Sequence, residues 1–254
     1  MSITELEEKR ELLNSISFFK AMCEEDQNTF LKNATLKNYP KHTSISVQGD
    51  KADKFLIIIK GWVKLYNVTI DGKEIIATLL TKDDVLGEDF LFSHQTCFFS
   101  ATAVDDSVVL AEISSKIVEK IVMTNPVMVT YVMTSMTNKI KSLRIENGNL
   151  ANMDAPQRLS CLLLRLSSWI TGECGSFPLP YDKSVMAAQL GIEPATFSRV
   201  LEKIKKRGVT HKGSEIHIKD FLSLSEYCCS LCPIPDGHCA GRHISNLSNE
   251  CSEY

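Results

Sequence analysis

Hydrophobic and polar positions divide the chain into stretches of different period. Residues 4–34 read as helix, with Leu6, Leu12, Leu13, Ile16 and Phe30 among the apolar positions. Short strand-like runs follow: ISVQGD, KFLIIIKG, WVKLYNV, IDGKEIIATLL and DDVLGEDFLF. Turn signals fall roughly every ten to twelve residues, the spacing of a compact all-β unit. Asp71-Gly72, between two β-branched runs, predicts a two-residue type I′ hairpin turn with positive φ at both positions. Gly49, Gly61 and Gly87 punctuate the other corners.

From Ser114 the pattern becomes helical. Between Val129 and Leu150, apolar residues recur in alternating steps of four and three: Val129, Met133, Met136, Ile140 and Leu143, then Asn147, then Leu150. A period of 3.5 residues is the seam of a two-stranded coiled coil, which predicts a homodimer whose register Asn147 would help to fix. A helix packed on its own domain is the alternative, and Gly148 weakens the helix near its end.

Asp154-Ala155-Pro156 restarts a helix, since Asp caps well and Pro is tolerated in a first turn. A domain boundary is expected there. The helix runs from Pro156 to about Thr171, and the loop GECGSFPLP follows it. Two helical segments, DKSVMAAQLGI and EPATFSRVLEKIKKRG, then bracket Gly191, and a hairpin VTHKGSEIHIK closes the unit. Pro194 stands at a first-turn position and Gly208 at a C-terminal cap.

The net charge of -3 gives little reason to expect a nucleic-acid partner. It conceals an asymmetry, because residues 183–219 carry +5 and the remainder -8. The second helix of the pair bears Thr196, Ser198, Arg199, Lys203, Lys205, Lys206 and Arg207. This is the helix-turn-helix arrangement followed by a wing, and it suits a major groove. Arg199 can bond guanine through two hydrogen bonds, and Thr196 and Ser198 can reach bases or phosphates. Lys203, Lys205, Lys206 and Lys212 suit the phosphate backbone, where they add affinity and salt dependence.

No apolar run approaches the length of a membrane span, and the opening MSITELEEKRELL is charged throughout, which predicts a cytoplasmic protein. The nine cysteines are therefore expected as thiols, metal ligands or redox sensors. Five fall in the last 27 residues, at Cys228, Cys229, Cys232, Cys239 and Cys251. In the segment CCSLCPIPDGHCAGRHISNLSNEC, Cys229, Cys232, Cys239 and Cys251 can supply the ligands of an iron-sulfur cluster or of zinc, with His238 and His243 between them. A thiol redox switch and a reduced tail without metal are the other readings.

The order of β unit, long helix, Asp hinge and winged helix-turn-helix resembles the family of the cyclic-AMP receptor protein and the fumarate-nitrate reductase regulator (CRP/FNR) over roughly residues 10–222. GIEPATFSRVLEKI looks like the recognition helix of the denitrification and nitric-oxide-responsive members. The resemblance implies an α+β protein: an N-terminal cyclic-nucleotide-binding-like β-roll, a long dimerisation helix and a C-terminal winged helix-turn-helix. The expected divisions are 1–125, 126–153, 154–222 and a Cys-rich tail at 223–254. It also implies a dimeric regulator that binds a palindromic DNA site and usually recruits RNA polymerase. Many members carry a Glu directly before the Thr that matches Thr196, where it accepts a hydrogen bond from cytosine. Ala195 cannot do so, which points to a different half-site.

In cyclic-nucleotide-binding members, the segment resembling LGEDFLF supplies a Gly and a Glu, and an Arg-Ser pair beyond it grips the phosphate. Gly87 and Glu88 match, but the resemblance places Phe99 at the Arg. A phenyl ring leaves a buried phosphate charge uncompensated, so cyclic AMP is not the expected effector. The cluster-binding members use several N-terminal cysteines, whereas this region has Cys23 alone. Haem in an apolar pocket is the other sensing chemistry that the resemblance implies. His94 and Cys97 are its candidate ligands, beside Phe90, Phe92, Phe98 and Phe99, and packing is their bland role. The expected effector pocket thus comprises Gly87, Glu88, His94, Cys97 and Phe99, and the expected signal is redox, a gas such as nitric oxide or oxygen, or a small molecule. The rival function is a ligand-binding regulatory module that acts on a protein partner without DNA. An enzyme is not expected, since Cys97 and His94 lack any third orienting group indicated by sequence.

Overall fold

The run KFLIIIK is apolar at every interior position because the strand it forms is covered on both faces. In the computed structural model, which describes residues 3–88, 91, 96–171 and 175–229, this run is β3 (Lys54–Lys60). It belongs to an antiparallel sheet ordered β1 (Thr35–Pro40), β8 (Ser107–Ser114), β3 and β6 (Val85–Leu86). A second sheet is ordered β2 (Ser44–Ser46), β7 (Ser100–Ala103), β4 (Val63–Val68) and β5 (Glu74–Leu80). Leu56 and Ile58 join Val63, Leu80, Ala101, Ala103, Val108 and Leu110 between the two sheets. Their neighbours Phe55, Ile57 and Ile59 face the other way, into a cluster built largely by helices.

Those helices are α1 (Ile3–Leu13), α2 (Ser17–Lys20), α3 (Glu24–Asn33), α4 (Ser115–Thr124) and the start of α5 (Pro126–Asn152). They contribute Leu13, Phe18, Phe30, Ile121, Met128 and Val132 to the cluster. The expected single stretch at 4–34 is therefore three helices. Arg10 joins the first to the third by donating to Gln27 at 3.1 Å and to Asn28 at 2.6 Å. Strands β1 and β8 lie outside the runs read from sequence. The former carries no fully buried side chain to mark it, because it is an edge strand.

The β4–β5 hairpin corrects the turn expected at Asp71-Gly72. Val68 pairs with Glu74, so the connection is five residues long, and only Gly72 of the pair has positive φ. Gly72 N–H donates to Thr69 O at 2.9 Å, and the Thr69 hydroxyl bonds the Asp71 carboxylate at 2.5 Å. This longer loop needs one left-handed residue, where a I′ turn needs two.

Gly61 turns β3 into β4 at φ 90, and a Cβ there would lie 2.7 Å from Ser107 O and 2.9 Å from the buried Val108 side chain. Gly61→Ala is expected to destabilise the β-roll by about 2–4 kcal/mol, combining left-handed strain with overpacking. A drop in the thermal midpoint of its unfolding checks this, and an unchanged midpoint would mean the corner relaxes freely.

The chain divides into two units, 1–138 and 139–254, with the division inside α5. On that helix Val129 and Met136 pack partly against their own domain's core. Met133, Ile140, Leu143 and Leu150 are 65, 50, 56 and 58% exposed, and Asn147 is exposed with them. The expected seam is therefore open over most of its length. Among the described residues no helix is long and apolar enough to cross a membrane.

In the second unit, α6 (Ala155–Ile170) starts where the sequence predicts. Gln157 N–H donates to Asp154 Oδ1 at 2.8 Å, and Asp154 N–H donates to Gln157 Oε1 at 2.9 Å, a reciprocal cap. The wing has three strands, β10 (Val209–Lys212), β11 (Glu215–Ile218) and β9 (Ser176–Pro178) in that order, so it is wider than the expected hairpin. Short β9 lies in the Gly/Pro-rich loop, where Phe177 is its only buried residue and no alternation is readable. Beyond the wing, α9 (Phe221–Cys229) crosses the boundary expected after residue 222 and buries Leu224 and Cys228. Gln157 Nε2 donates to Tyr227 O at 3.2 Å, and the Arg207 guanidinium lies 4.5 Å over the Tyr227 ring.

Candidate nucleic-acid interface and effector pocket

EPATFSRVLEKI folds as a helix because its apolar residues recur at helical spacing and Pro194 occupies the first turn. Helices α7 (Lys183–Gln189) and α8 (Pro194–Ile204) are joined through Gly191, whose φ is 66. Phe197, Val200, Leu201 and Ile204 bury one face of α8. The opposite face is exposed and carries Ala195, Thr196, Ser198, Arg199 and Lys203. Lys212 is exposed at the tip of the wing, and a 3₁₀ turn, Lys205–Arg207, joins helix to wing with Gly208 at φ 82. Basic groups and short hydroxyls thus share one solvent-facing surface, which is a chemistry suited to phosphates and base edges.

Two residues on this surface bear no role in the sequence reading. Glu202 lies among the lysines, with Lys205 Nζ at 2.7 Å and His211 Nε2 at 3.6 Å. The hydrogen bond from Lys205 holds its carboxyl below the usual range. It offsets part of the positive charge and links α8 to the wing through His211. No signal in one sequence marks Glu202, since an acidic residue on an exposed helix face is ordinary.

Of the residues expected to line an effector pocket, Gly87 is buried with φ 104 and Glu88 is half-buried. Ser135 of α5 donates to Glu88 Oε1 at 3.2 Å, so the carboxylate expected to meet a ligand is tied to the long helix. Nothing in the sequence singles out Ser135. The Tyr131 hydroxyl nearby has its pKa raised by burial, then by the negative charges of Asp83, Glu88 and Asp84. Cys97 is buried, Phe99 is half-buried, and Phe98 is 64% exposed with its ring edge-on to Phe99 at 5.0 Å. The Ser100 hydroxyl accepts from Gln48 N–H at 3.0 Å and braces the 47–50 turn. His94, Phe90 and Phe92 lie outside the described residues.

Cys23 is exposed, and its thiol donates to Asp26 Oδ2 at 3.1 Å. Cys232, Cys239 and Cys251 lie outside the described residues, as does the side chain of Cys229. Among the described residues no three or more His, Cys, Asp or Glu side chains are grouped to hold a metal.

A β-roll of the cyclic-nucleotide-binding kind, followed by a winged helix-turn-helix, defines a class of two-domain regulatory proteins. Residues 36–125 match the cyclic nucleotide-binding domain and residues 157–227 the Crp-like helix-turn-helix domain. With both domains in this order, the chain belongs to the CRP/FNR family. It is 28% identical over 138 residues to the cAMP-activated global transcriptional regulator CRP of Pasteurella multocida, covering 54% of this chain and 66% of that protein. It is also 28% identical over 182 residues to the anaerobic regulatory protein of the same organism, covering 70% of this chain and 66% of the relative. The alignments thus span just under two thirds of these relatives' lengths. FixK2 from Bradyrhizobium japonicum shares the fold, with a TM-score of 0.67 at 20% identity over 76% of this chain and 96% of that one.

Proposed function

We propose that this protein is a homodimeric transcription regulator that reads a palindromic DNA site through α8 and the wing and acts on RNA polymerase. The observation that carries this reading is the division of α8 into a buried apolar face and an exposed face bearing Thr196, Ser198, Arg199 and Lys203. Arg199 reads a guanine, Thr196 and Ser198 contact bases or phosphates, and Lys203 and Lys212 meet the backbone. The open seam on α5 supplies the dimer contact, which sets the two recognition helices about one DNA turn apart. Selection of sites from a random duplex library tests this. A palindrome with half-sites about one helical turn apart is expected, whereas enrichment of no sequence would favour a regulator that acts on a protein.

The effector is a gas, a redox signal or an uncharged small molecule, and it is not cyclic AMP. Phe99 supports this, as do the acidic groups around Tyr131, which disfavour an anion. Glu88, Gly87, Cys97, His94 and Phe99 surround the effector in this reading. Ligand occupancy shifts the α5 helices by engaging the two states unequally, and the Glu88–Ser135 bond is the link. An absorption spectrum with iron, zinc and sulfide analysis tests the metal readings on the full chain beside a version ending at Cys229, a cut that spares buried Cys228. Iron and sulfide lost on truncation would assign a cluster to the removed Cys232, Cys239 and Cys251, with Cys229 as the fourth candidate ligand. Zinc lost on truncation would assign that metal there instead. A Soret band that survives truncation would place haem in the β-roll.

A further inference from the structure

The β-roll carries a cleft that none of Gly87, Glu88, Cys97 or Phe99 lines. It is an open cavity of about 780 Å³ over the end of the first sheet, bordered by the 51–54 turn and the start of α4. Its floor is Glu112 on β8, only 6% exposed. Thr35 of β1 and Leu56 of β3 stand directly opposite Glu112 on either side. Lys37 and Lys54 therefore lie two residues along, at diagonal positions that long side chains can span. Their ammonium groups converge on one carboxylate oxygen, Oε2, at 3.0 and 3.2 Å. The other oxygen accepts from the Tyr39 hydroxyl.

One carboxylate between two ammonium groups leaves a positive charge on the floor of the cleft. Burial pushes the Glu112 carboxyl up, but the hydrogen bonds from Tyr39, Lys37 and Lys54 outweigh it and keep the group ionised. At the rim, Lys116 stands in the first turn of α4, and Lys51 is 3.9 Å from the Asp53 carboxylate. Both members of that rim pair are largely exposed, so their mutual neutralisation is weak. Lys37, Lys51, Lys54 and Lys116 against Asp53 and Glu112 give this cleft +2 within a chain of -3. The N-terminus of α4, ten residues long, adds backbone N–H groups at its positive end.

An ammonium has three protons, so Lys37 and Lys54 can each hold Glu112 with one and present another to a ligand. A phosphate group carries roughly two negative charges at pH 7 and three acceptor oxygens, which match this set in number and sign. The volume falls within the usual range for small-molecule sites, with room for more than the phosphate alone.

We propose that this cleft binds phosphate, free or as the ester of a small molecule, through Lys37, Lys54, Lys116 and the first turn of α4. It gives the sensor domain an anion input separate from the pocket at Gly87 and Glu88. Calorimetric titration of the full-length protein with sodium phosphate, at ionic strength held constant with sodium chloride, tests it. Saturable binding is expected. Lys116→Gln should weaken it about tenfold, the loss of one exposed charge-assisted bond. Glu112→Gln should tighten it, because both ammonium groups are released to the ligand, whereas a merely structural Glu112 would give the opposite sign. Ribose 5-phosphate in the same titration separates the sources: tighter binding than phosphate identifies an ester, and equal binding identifies the free ion. Phosphate heats no different from those of chloride, or a response unchanged in a Lys54→Gln, Lys116→Gln double variant, would overturn the proposal.

Discussion

Arg199→Ala is expected to remove site discrimination while leaving salt-sensitive binding to any duplex. Arg199 is exposed on the outer face of α8, five residues after Pro194, whereas Phe197 and Val200 beside it are buried. The substitution therefore leaves the packing of the helix untouched, and folding is not the expected cause of any loss. A bidentate contact to guanine is worth about 1–3 kcal/mol of discrimination per half-site, so a symmetric dimer loses about 2–6 kcal/mol over the whole site. That corresponds to roughly 30- to 25,000-fold in the ratio of specific to random affinity. Lys203 and Lys212 remain, so the dependence of random binding on salt should persist. Competition gel shifts at two salt concentrations measure both quantities. Equal loss on the selected and the random duplex would assign Arg199 to the phosphates instead.

Leu143→Asp is expected to separate the dimer and with it the two reading heads. Leu143 is 56% exposed in the single chain, between Ile140 and Asn147 on the α5 seam. Burying a leucine side chain is worth about 1.5–3 kcal/mol, and two copies lose it, so association should weaken by about 3–6 kcal/mol. The dissociation constant then rises roughly two to four orders of magnitude. A carboxylate in each helix adds repulsion across the axis. Sedimentation equilibrium reads the mass directly, and a Leu143→Met control should remain dimeric because volume and apolarity are kept. If Leu143→Asp stays a dimer, the contact between copies lies elsewhere, and the exposed stripe needs another explanation.

Some of this architecture is written in short-range patterns. Asp154 with Gln157 three residues later fixes the start of α6, because the cap is a local hydrogen-bond exchange. Phe197, Val200, Leu201 and Ile204 fix the buried face of α8, because helical period alone decides which residues share a side. The alternating steps along α5 likewise lay out the stripe that the structure leaves largely exposed. The Asp71-Gly72 turn misled, since a dipeptide preference does not determine loop length; the pairing of Val68 with Glu74 does. Edge strand β1 and short β9 were not legible either, for neither buries enough of its own residues to impose a period.

The candidate sites divide in the same way. The sequence by itself determined the long helix, the capped restart and the basic face of α8, because each depends on residues within one or two turns of each other. The β-roll entered through the family resemblance, and its strand pairing joins residues as far apart as Thr35 and Glu112. The sequence also supplied Gly87, Glu88 and Phe99 as places to look for an effector. The tertiary structure alone decided that Ser135 meets Glu88, that Glu202 lies against Lys205 and His211, and that Lys37 and Lys54 share one buried carboxylate. Lys37 and Glu112 are 75 positions apart, yet the register of β1 on β8 places their side chains within 3.0 Å. Spacing along a chain reports only the neighbours that a single helix or strand creates. Charges that converge from separate strands become neighbours only when the sheet forms.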